Sequence, residues 1–312
     1  MPIMVMDRGL HIDAGEVRKA FPQETVRDAR DAAEALGVCA DCEVLVAMAH
    51  DVTDELVGAM PRLKYICAMS AGTDRLDTLK NLKADVRITS GRGIHGPQMS
   101  ELAFLGMIAL SREFPRMQQN QRARRWERWP QKLLFGKTVL LVGIGPIAEE
   151  LALRCEAFGL RVLGVSDARK EAPHFAALYP RSRLKEAAAL ADFMIVLVPL
   201  SDKTRHMIDA EVLAAMKPTG IIVNLARGPV IDEQALIKAL QEKRIGGAAL
   251  DVFETEPPVE DNPLWDMPNV IITPRIGGMS DVYAQQVLPL VVHNLRCFLD
   301  GRPSEMKNIL RG

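Results

Sequence analysis

Features that mark membrane, secreted, metal-clustering and nucleic-acid-binding proteins are missing from this chain of 312 residues. No apolar run approaches the ~18 residues that a membrane span needs, and the N-terminal MPIMVMD meets Asp7 too early for a signal peptide. A cytoplasmic protein with no membrane partner is therefore expected. The five cysteines are odd in number and lack framework spacing, which fits reduced thiols. Cys39 and Cys42 form a C-x-x-C, but they precede the apolar run VLVAM, and no second ligand pair follows. The expected role is small buried side chains, with no metal site. Excess charge of one sign is also absent. With 39 basic and 40 acidic residues the net charge is -1 and no footprint for nucleic acid is visible. Aromatics are scarce at 5%, and their one charged cluster, RARRWERW from Arg122 to Trp129, reads as a solvated helix face with apolar anchors.

What is present is ordinary packed protein, 48% hydrophobic and 25% charged, with length for about two domains. Short apolar runs alternate with helix-length segments throughout, the pattern of parallel sheets covered by helices on both faces. In the first ~100 residues the strands read IMVM, VLVAM, KYICAM and VRITS. A second series comes after Gly136: KTVLLVG, LRVLGVS, DFMIVLVP, GIIVNLA, IGGAALDV and NVIITP. Between them, Pro97 to Trp129 reads as one long helical stretch. Another, DVYAQQVLPLVVHNLRCFLDG, ends at Gly301 as a natural stop. The expected fold is α/β, with two doubly wound parallel-sheet domains and a ligand site in the cleft between them.

The strongest local signal is VLLVGIGPIAEELALRCEAFGLRVLGVSDARK. Gly143 allows a tight turn off the strand, Gly145 lets backbone approach a pyrophosphate, and Ala148 keeps the third position small. Pro146 and Ile147 open a helix whose unpaired N–H groups would face the anion. The spacing predicts a dinucleotide site, because the G-x-G-x-x-A follows one strand and reaches a second. That second strand ends at Ser166, followed by Asp167. An acidic residue there suits the ribose 2′-hydroxyl of NAD, whereas Arg169 and Lys170 beside a small hydroxyl suit the 2′-phosphate of NADP. The cations tilt the reading slightly to NADP.

Longer blocks in the right order resemble the D-2-hydroxyacid dehydrogenase family over nearly the whole chain. IIVNLARGPVIDEQALIKAL is similar to the family's V-N-x-x-R-G-x-x-V-D-x-x-A-L block, and GGAALDVFETEPP to its D-V-F-x-x-E-P block. MKPTGIIVN and VPLSDKTRHMI match the passages before them. The resemblance implies hydride transfer between a nicotinamide and a 2-oxo or 2-hydroxy acid. It also implies a homodimer. A flavodoxin-like substrate domain, residues 1–96 plus 286–312, would surround an inserted Rossmann domain, residues 97–285. By the same resemblance Arg227 pairs with the substrate carboxylate and carbonyl, and Ala71 and Gly72 bind the carboxylate through backbone N–H groups. Asp251 meets the nicotinamide carboxamide, Pro199, Thr204 and Ala226 line the cofactor, and Glu256 orients the catalytic histidine.

That histidine is missing. The segment NVIITPRIGGMS carries Arg275 where the family has its proton donor. An arginine pKa above ~12 makes the proton unavailable, although a guanidinium can stabilise an alkoxide or hold a second anion. Of the six histidines, His11, His50, His174, His206 and His293 lie in contexts that require no special role. His95, in SGRGIHGPQMSEL, matches a substrate-contacting position of the related formate dehydrogenases. A histidine titrates near neutrality, so His95 is a candidate proton donor, beside substrate hydrogen bonding or helix capping. The competing reading is a dinucleotide-binding sensor or scaffold with impaired turnover.

Overall fold

The apolar runs become strands of two separate sheets in the computed structural model, which describes residues 1–9 and 12–311. Two units form, Met1–Ile94 with Met279–Gly312, and His95–Gly278. The chain crosses between them somewhat earlier than the 96/97 and 285/286 boundaries expected.

The first unit opens with β1 (Ile3–Met6), α1 (Ala14–Ala20), β2 (Val26–Ala29) and α2 (Ala32–Leu36). It continues through β3 (Val44–Ala47), α3 (Asp54–Gly58), β4 (Tyr65–Ala68) and β5 (Arg87–Thr89). Asp13, Asp31 and Thr53 start the three helices by accepting a first-turn N–H. Strands β1, β3 and β4 are wholly buried, as strands covered on both faces must be.

The second unit begins with α4 (Gly96–Ser111) and α5 (Phe114–Arg122). Its sheet comes next: β6 (Thr138–Val142), α6 (Pro146–Ala157), β7 (Arg161–Val165), β8 (Ala177–Tyr179), α7 (Leu184–Leu190) and β9 (Phe193–Val196). Then come α8 (Ala210–Ala215), β10 (Ile221–Asn224), α9 (Glu233–Gln241), β11 (Gly247–Leu250) and β12 (Val270–Ile272). One core packs α4 and α6 on one face, with Met107, Leu141, Leu151 and Val223. The other packs α7, α8 and α9, with Leu140, Leu213, Leu236 and Ile222. The chain returns to the first unit as α10 (Tyr283–Leu299) and β13 (Ile309–Arg311). Backbone bonds from Gly301 to Phe298 and from Arg302 to Cys297 close α10 where the sequence placed its stop.

The first sheet runs β13-β5-β4-β3-β1-β2, a flavodoxin-like order with β13 antiparallel at the edge. The second runs β12-β11-β10-β9-β6-β7-β8, the Rossmann order, parallel throughout. Three strands, β2, β8 and β13, were not anticipated. The stretch 97–129 is also not one helix. It breaks after Ser111, Glu113 takes a left-handed φ of 53°, and Pro115 sits in the first turn of α5. Most of RARRWERW lies beyond that second helix, so its helix-face reading is corrected. Arg116 stacks on Trp129 at 4.2 Å, Glu127 pairs with Arg116 and accepts from Asn120, and Trp126 projects 94% exposed.

Candidate active site

Parallel strands in register deliver their loops side by side. Val142 of β6 pairs with Val196 of β9, Val196 with Asn224 of β10, Asn224 with Leu250 of β11, and Leu250 with Ile272 of β12. The loops after these strands hold most of the residues singled out in the second unit, with Ser166, Asp167 and Arg169 after β7 and His95 before α4. They leave the carboxyl ends of the sheet, and between β6 and β9 the strand order reverses, the usual ligand position in such a fold.

After β6, Gly143 adopts φ 98°, and a Cβ there would sit 2.7 Å from Val198 Cγ1. Gly145 is extended, Pro146 opens α6, and no side chain caps the helix. A bare helix start of this kind is suited to an anion, and Ala148 is buried. These residues fit a dinucleotide pyrophosphate. Ser166 Oγ accepts from the backbone of Ala168 and Arg169 at 3.2 Å. Asp167 is tied to Arg181, and Arg169 pairs with Glu149 in the first turn of α6. Thr204 is buried. Its hydroxyl donates to Pro199 O at 2.7 Å and accepts from Ser201 N at 2.8 Å, so it closes the 199–204 loop.

Arg227 follows β10 on a turn clipped by buried Asn224. That side chain donates to Arg227 O at 3.2 Å and accepts from Ala226 N at 3.1 Å. Arg227 Nη1 donates to Ala226 O at 2.7 Å. A Cβ on Gly228 would fall 1.9 Å from the backbone of Phe253, so only glycine lets the two loops close together. Phe253 N in turn donates to Glu256 Oε1 at 3.2 Å, and Glu256 Oε2 receives Arg275 Nη1 at 2.5 Å. The pair that the resemblance gives to glutamate and histidine is here an ion pair, half-exposed on the arginine side.

Arg275 holds a left-handed φ of 55°, a conformation costing a non-glycine residue roughly 1–2 kcal/mol. Asp251, 5% exposed, supplies the restraint. Its Oδ1 accepts from Thr273 Oγ1 at 2.6 Å and Ile276 N at 2.9 Å, and its Oδ2 from Gly277 N at 2.9 Å. Asp251 thus grips the turn on both sides of Arg275, a role that its strand-end position did not disclose.

His95 precedes α4, and its carbonyl accepts from Met99 N while its side chain makes no cap, which removes the side-chain capping reading. Its ring lies against the Arg275 loop: a Cβ on Gly278 would be 3.4 Å from His95 Cδ2. Gln98 Nε2 donates to Gly278 O at 3.4 Å from the same helix start. The ring is 6% exposed, and burial pushes its pKa down to about 4. Titration near neutrality, expected from an ordinary histidine, is corrected accordingly: the imidazole is neutral at physiological pH.

His174 pairs with Glu156, His206 with Glu254 at 2.7 Å, and His293 with Glu305 O at 3.0 Å. His50 lies 3.8 Å from Asp51, and His11 lies outside the described residues. Ala71 and Gly72 belong to the first unit, on the loop after β4. There Ser70 Oγ donates to Gly72 O at 2.9 Å and accepts from Ala49 N at 3.2 Å. Among the described residues no three His, Cys, Asp or Glu side chains are placed to hold a metal, and no helix is long and apolar enough to cross a membrane. Sequence reasoning missed Asn224 as a clip and Arg181 altogether. The asparagine stood inside the V-N-x-x-R-G block, whereas no motif marks the arginine.

Residues 104–277 match the model of the D-isomer specific 2-hydroxyacid dehydrogenase NAD binding domain. A glyoxylate reductase of Thermococcus onnurineus is 35% identical over 274 residues, 84% of this chain and 81% of that protein. A D-isomer specific 2-hydroxyacid dehydrogenase family protein of Aeromonas salmonicida superposes with a TM-score of 0.90 at 31% identity, covering 99% of this chain and 98% of that one. An NADPH-dependent glyoxylate/hydroxypyruvate reductase of Sinorhizobium meliloti, in complex with NADP and sulfate, superposes at 0.84 with 26% identity over 99% and 98%. With a Rossmann sheet, a glycine turn after β6 and an arginine loop after β10, the chain belongs to the D-isomer specific 2-hydroxyacid dehydrogenases.

Proposed function

We propose that this protein reduces a small 2-oxo acid to the 2-hydroxy acid with NADPH or NADH, through a site in which an arginine replaces the proton-donating histidine. The carrying observation is the Arg275–Glu256 ion pair on a turn that Asp251 holds in place. Gly143, Gly145, Pro146 and Ile147 would seat the pyrophosphate of the dinucleotide, which supplies the hydride when bound. Arg227 carries a planar guanidinium fork of the kind that holds the carboxylate and carbonyl of a 2-oxo acid. In the first unit, Ala71 and Gly72 carry the backbone N–H groups that the family resemblance gives to carboxylate binding.

A guanidinium has five N–H donors. Glu256 takes Arg275 Nη1, and donors beyond it can stabilise the oxygen that gains negative charge as hydride arrives. Neutral His95 can orient that oxygen by hydrogen bonding, and water then supplies the proton. Losing a general acid costs ~10²–10⁴ in rate, so turnover should be slow but measurable. The test is a panel of 2-oxo acids with each cofactor. Glyoxylate, the substrate named for the Thermococcus relative, would be compared with 2-oxo acids bearing a second carboxylate. Preference for the second group would support Arg275 as an anion anchor. Absence of turnover with every member, despite cofactor binding, would leave the second reading, a dinucleotide-binding sensor or scaffold. That reading draws on one observation: burial keeps His95 neutral, so it is not a ready acid.

We also propose a homodimer. Leu105 and Ile108 of α4, Phe114 of α5, and Trp126, Leu133 and Phe135 after it are large exposed apolar side chains, with Phe135 75% exposed. These exposed apolar side chains, close together in sequence, are what an interaction surface would use. Sedimentation of a Trp126→Ser, Phe135→Ser variant would yield monomer, and an unchanged dimer would place the interface elsewhere.

A further inference from the structure

We propose that Arg181 sets the cofactor choice, by clamping Asp167 so that the site at the end of β7 takes a 2′-phosphate in place of a ribose 2′-hydroxyl. This rests on the dinucleotide reading above and deepens it. Asp167 is the first acidic residue after β7. A carboxylate at that place accepts from the ribose hydroxyls and repels a phosphate. Here both of its oxygens are engaged by one residue. Oδ1 accepts from Arg181 N at 2.8 Å, and Oδ2 accepts from Arg181 Nε at 3.0 Å and from Nη2 as well. The backbone and then the side-chain hydrogen bonds of Arg181 hold the Asp167 carboxyl below its usual range.

Arg181 has a third anchor. Its Nη1 donates to Lys203 O at 2.8 Å, which ties the turn after β7 to the 199–204 loop. The Lys203 cation also acts on Asp167. Arg169 is differently committed, since its guanidinium pairs with Glu149 of α6. With Asp167 offset by Arg181, Lys203 remains as a second cation acting at the end of β7, where a 2′-phosphate would sit. The ion pair is partly exposed, 34% on the arginine and 49% on the aspartate, and such pairs contribute little to stability. Its variants should therefore fold, as a thermal melt would check.

The experiment is calorimetric titration of NADPH and NADH into wild type, Arg181→Ala, Arg181→Lys, Asp167→Ala and the double alanine variant. Wild type should prefer NADPH. Arg181→Ala should lose about tenfold or more in NADPH affinity while holding or gaining NADH. Removing Asp167 as well should restore most of the NADPH loss, and Arg181→Lys, which keeps the charge but not the fork, should fall between. Equal loss of both cofactors in Arg181→Ala would overturn the proposal. So would unchanged NADPH binding, or a double variant as poor as the single. Wild-type preference for NADH would sink the proposal while leaving the dinucleotide reading intact. A wild type that binds neither cofactor would remove both.

Discussion

Lowering the pH from neutrality towards about 4 should destabilise the wild-type protein relative to His95→Gln, because His95 is buried in its neutral form. The folded-state pKa is depressed from 6.5 to about 4 by desolvation, the sole cause of the shift. As pH falls below ~6.5 the unfolded chain binds a proton on this imidazole and the folded chain does not. The unfolded state then holds more protons, so stability is full above that pH and falls until the folded pKa is reached. At about 1.36 kcal/mol per pKa unit the depression corresponds to roughly 3 kcal/mol, a large fraction of an ordinary folding free energy. Carboxylates titrate over part of the same range, and for that reason the quantity to measure is a difference. Urea unfolding of both proteins across this window should give curves that converge or cross as acid is added, with wild type losing the roughly 3 kcal/mol that the variant keeps. Parallel curves would refute the burial argument. An imidazole proton resonance with a midpoint near 6.5 would do so more directly. The same neutrality bears on turnover: a rate inflection near neutral pH in the free enzyme would have to come from a group other than His95.

Gly145→Val tests the cofactor loop. Gly145 is extended, a conformation open to valine, so the variant should fold while both dinucleotides lose most of their affinity by calorimetry, and unchanged affinities would dislodge the reading. Arg275→His restores the glutamate–histidine pair with Glu256 in place. A gain of ~10²–10⁴ in 2-oxo acid reduction would identify the natural site as an impaired dehydrogenase, and a loss would mean that the site is built around the arginine. Asp251→Ala strips three donors of their acceptor. It should cost ~1–3 kcal/mol or more in stability and lower kcat beyond any change in cofactor affinity, whereas unchanged kcat would separate the Arg275 turn from the chemistry.

The buried centre of each sheet was legible from sequence, and its edges were not. Strands β1, β3, β4, β9, β10 and β11 are wholly buried, so each is an apolar run that ends at a turn signal. The three missed strands, β2, β8 and β13, are all edges and are short and largely half-exposed or exposed. VRDA, ALY and ILR carry no continuous apolar signature, because water covers one side of each. The helix break at Glu113 is hidden for a related reason. Its left-handed turn uses neither glycine nor asparagine, and Pro115 reads equally as the first turn of a new helix.

The candidate site divides along the same physical line. Blocks such as V-N-x-x-R-G mark where loops leave the sheet, because strand ends and tight approaches restrict residue type locally, as Gly228 against Phe253 illustrates. Partners across loops leave no such local trace. Asp167 reaches Arg181 fourteen positions on, and Asp251 reaches Ile276 twenty-five positions on. Sequence alone pairs each carboxylate with a ligand, and in the structure each is engaged by the protein. Arg275 is where the two levels differ most. Sequence reports it as a lost proton, since a guanidinium does not yield one at working pH. Geometry adds that the arginine is held on both flanks by Asp251 and at its tip by Glu256, in a backbone conformation that opposes it by roughly 1–2 kcal/mol. Asp251 fixes the backbone of the turn through Thr273, Ile276 and Gly277, and Glu256 fixes the arginine side chain. A cation held in this way would, on the function proposed above, hold negative charge in place.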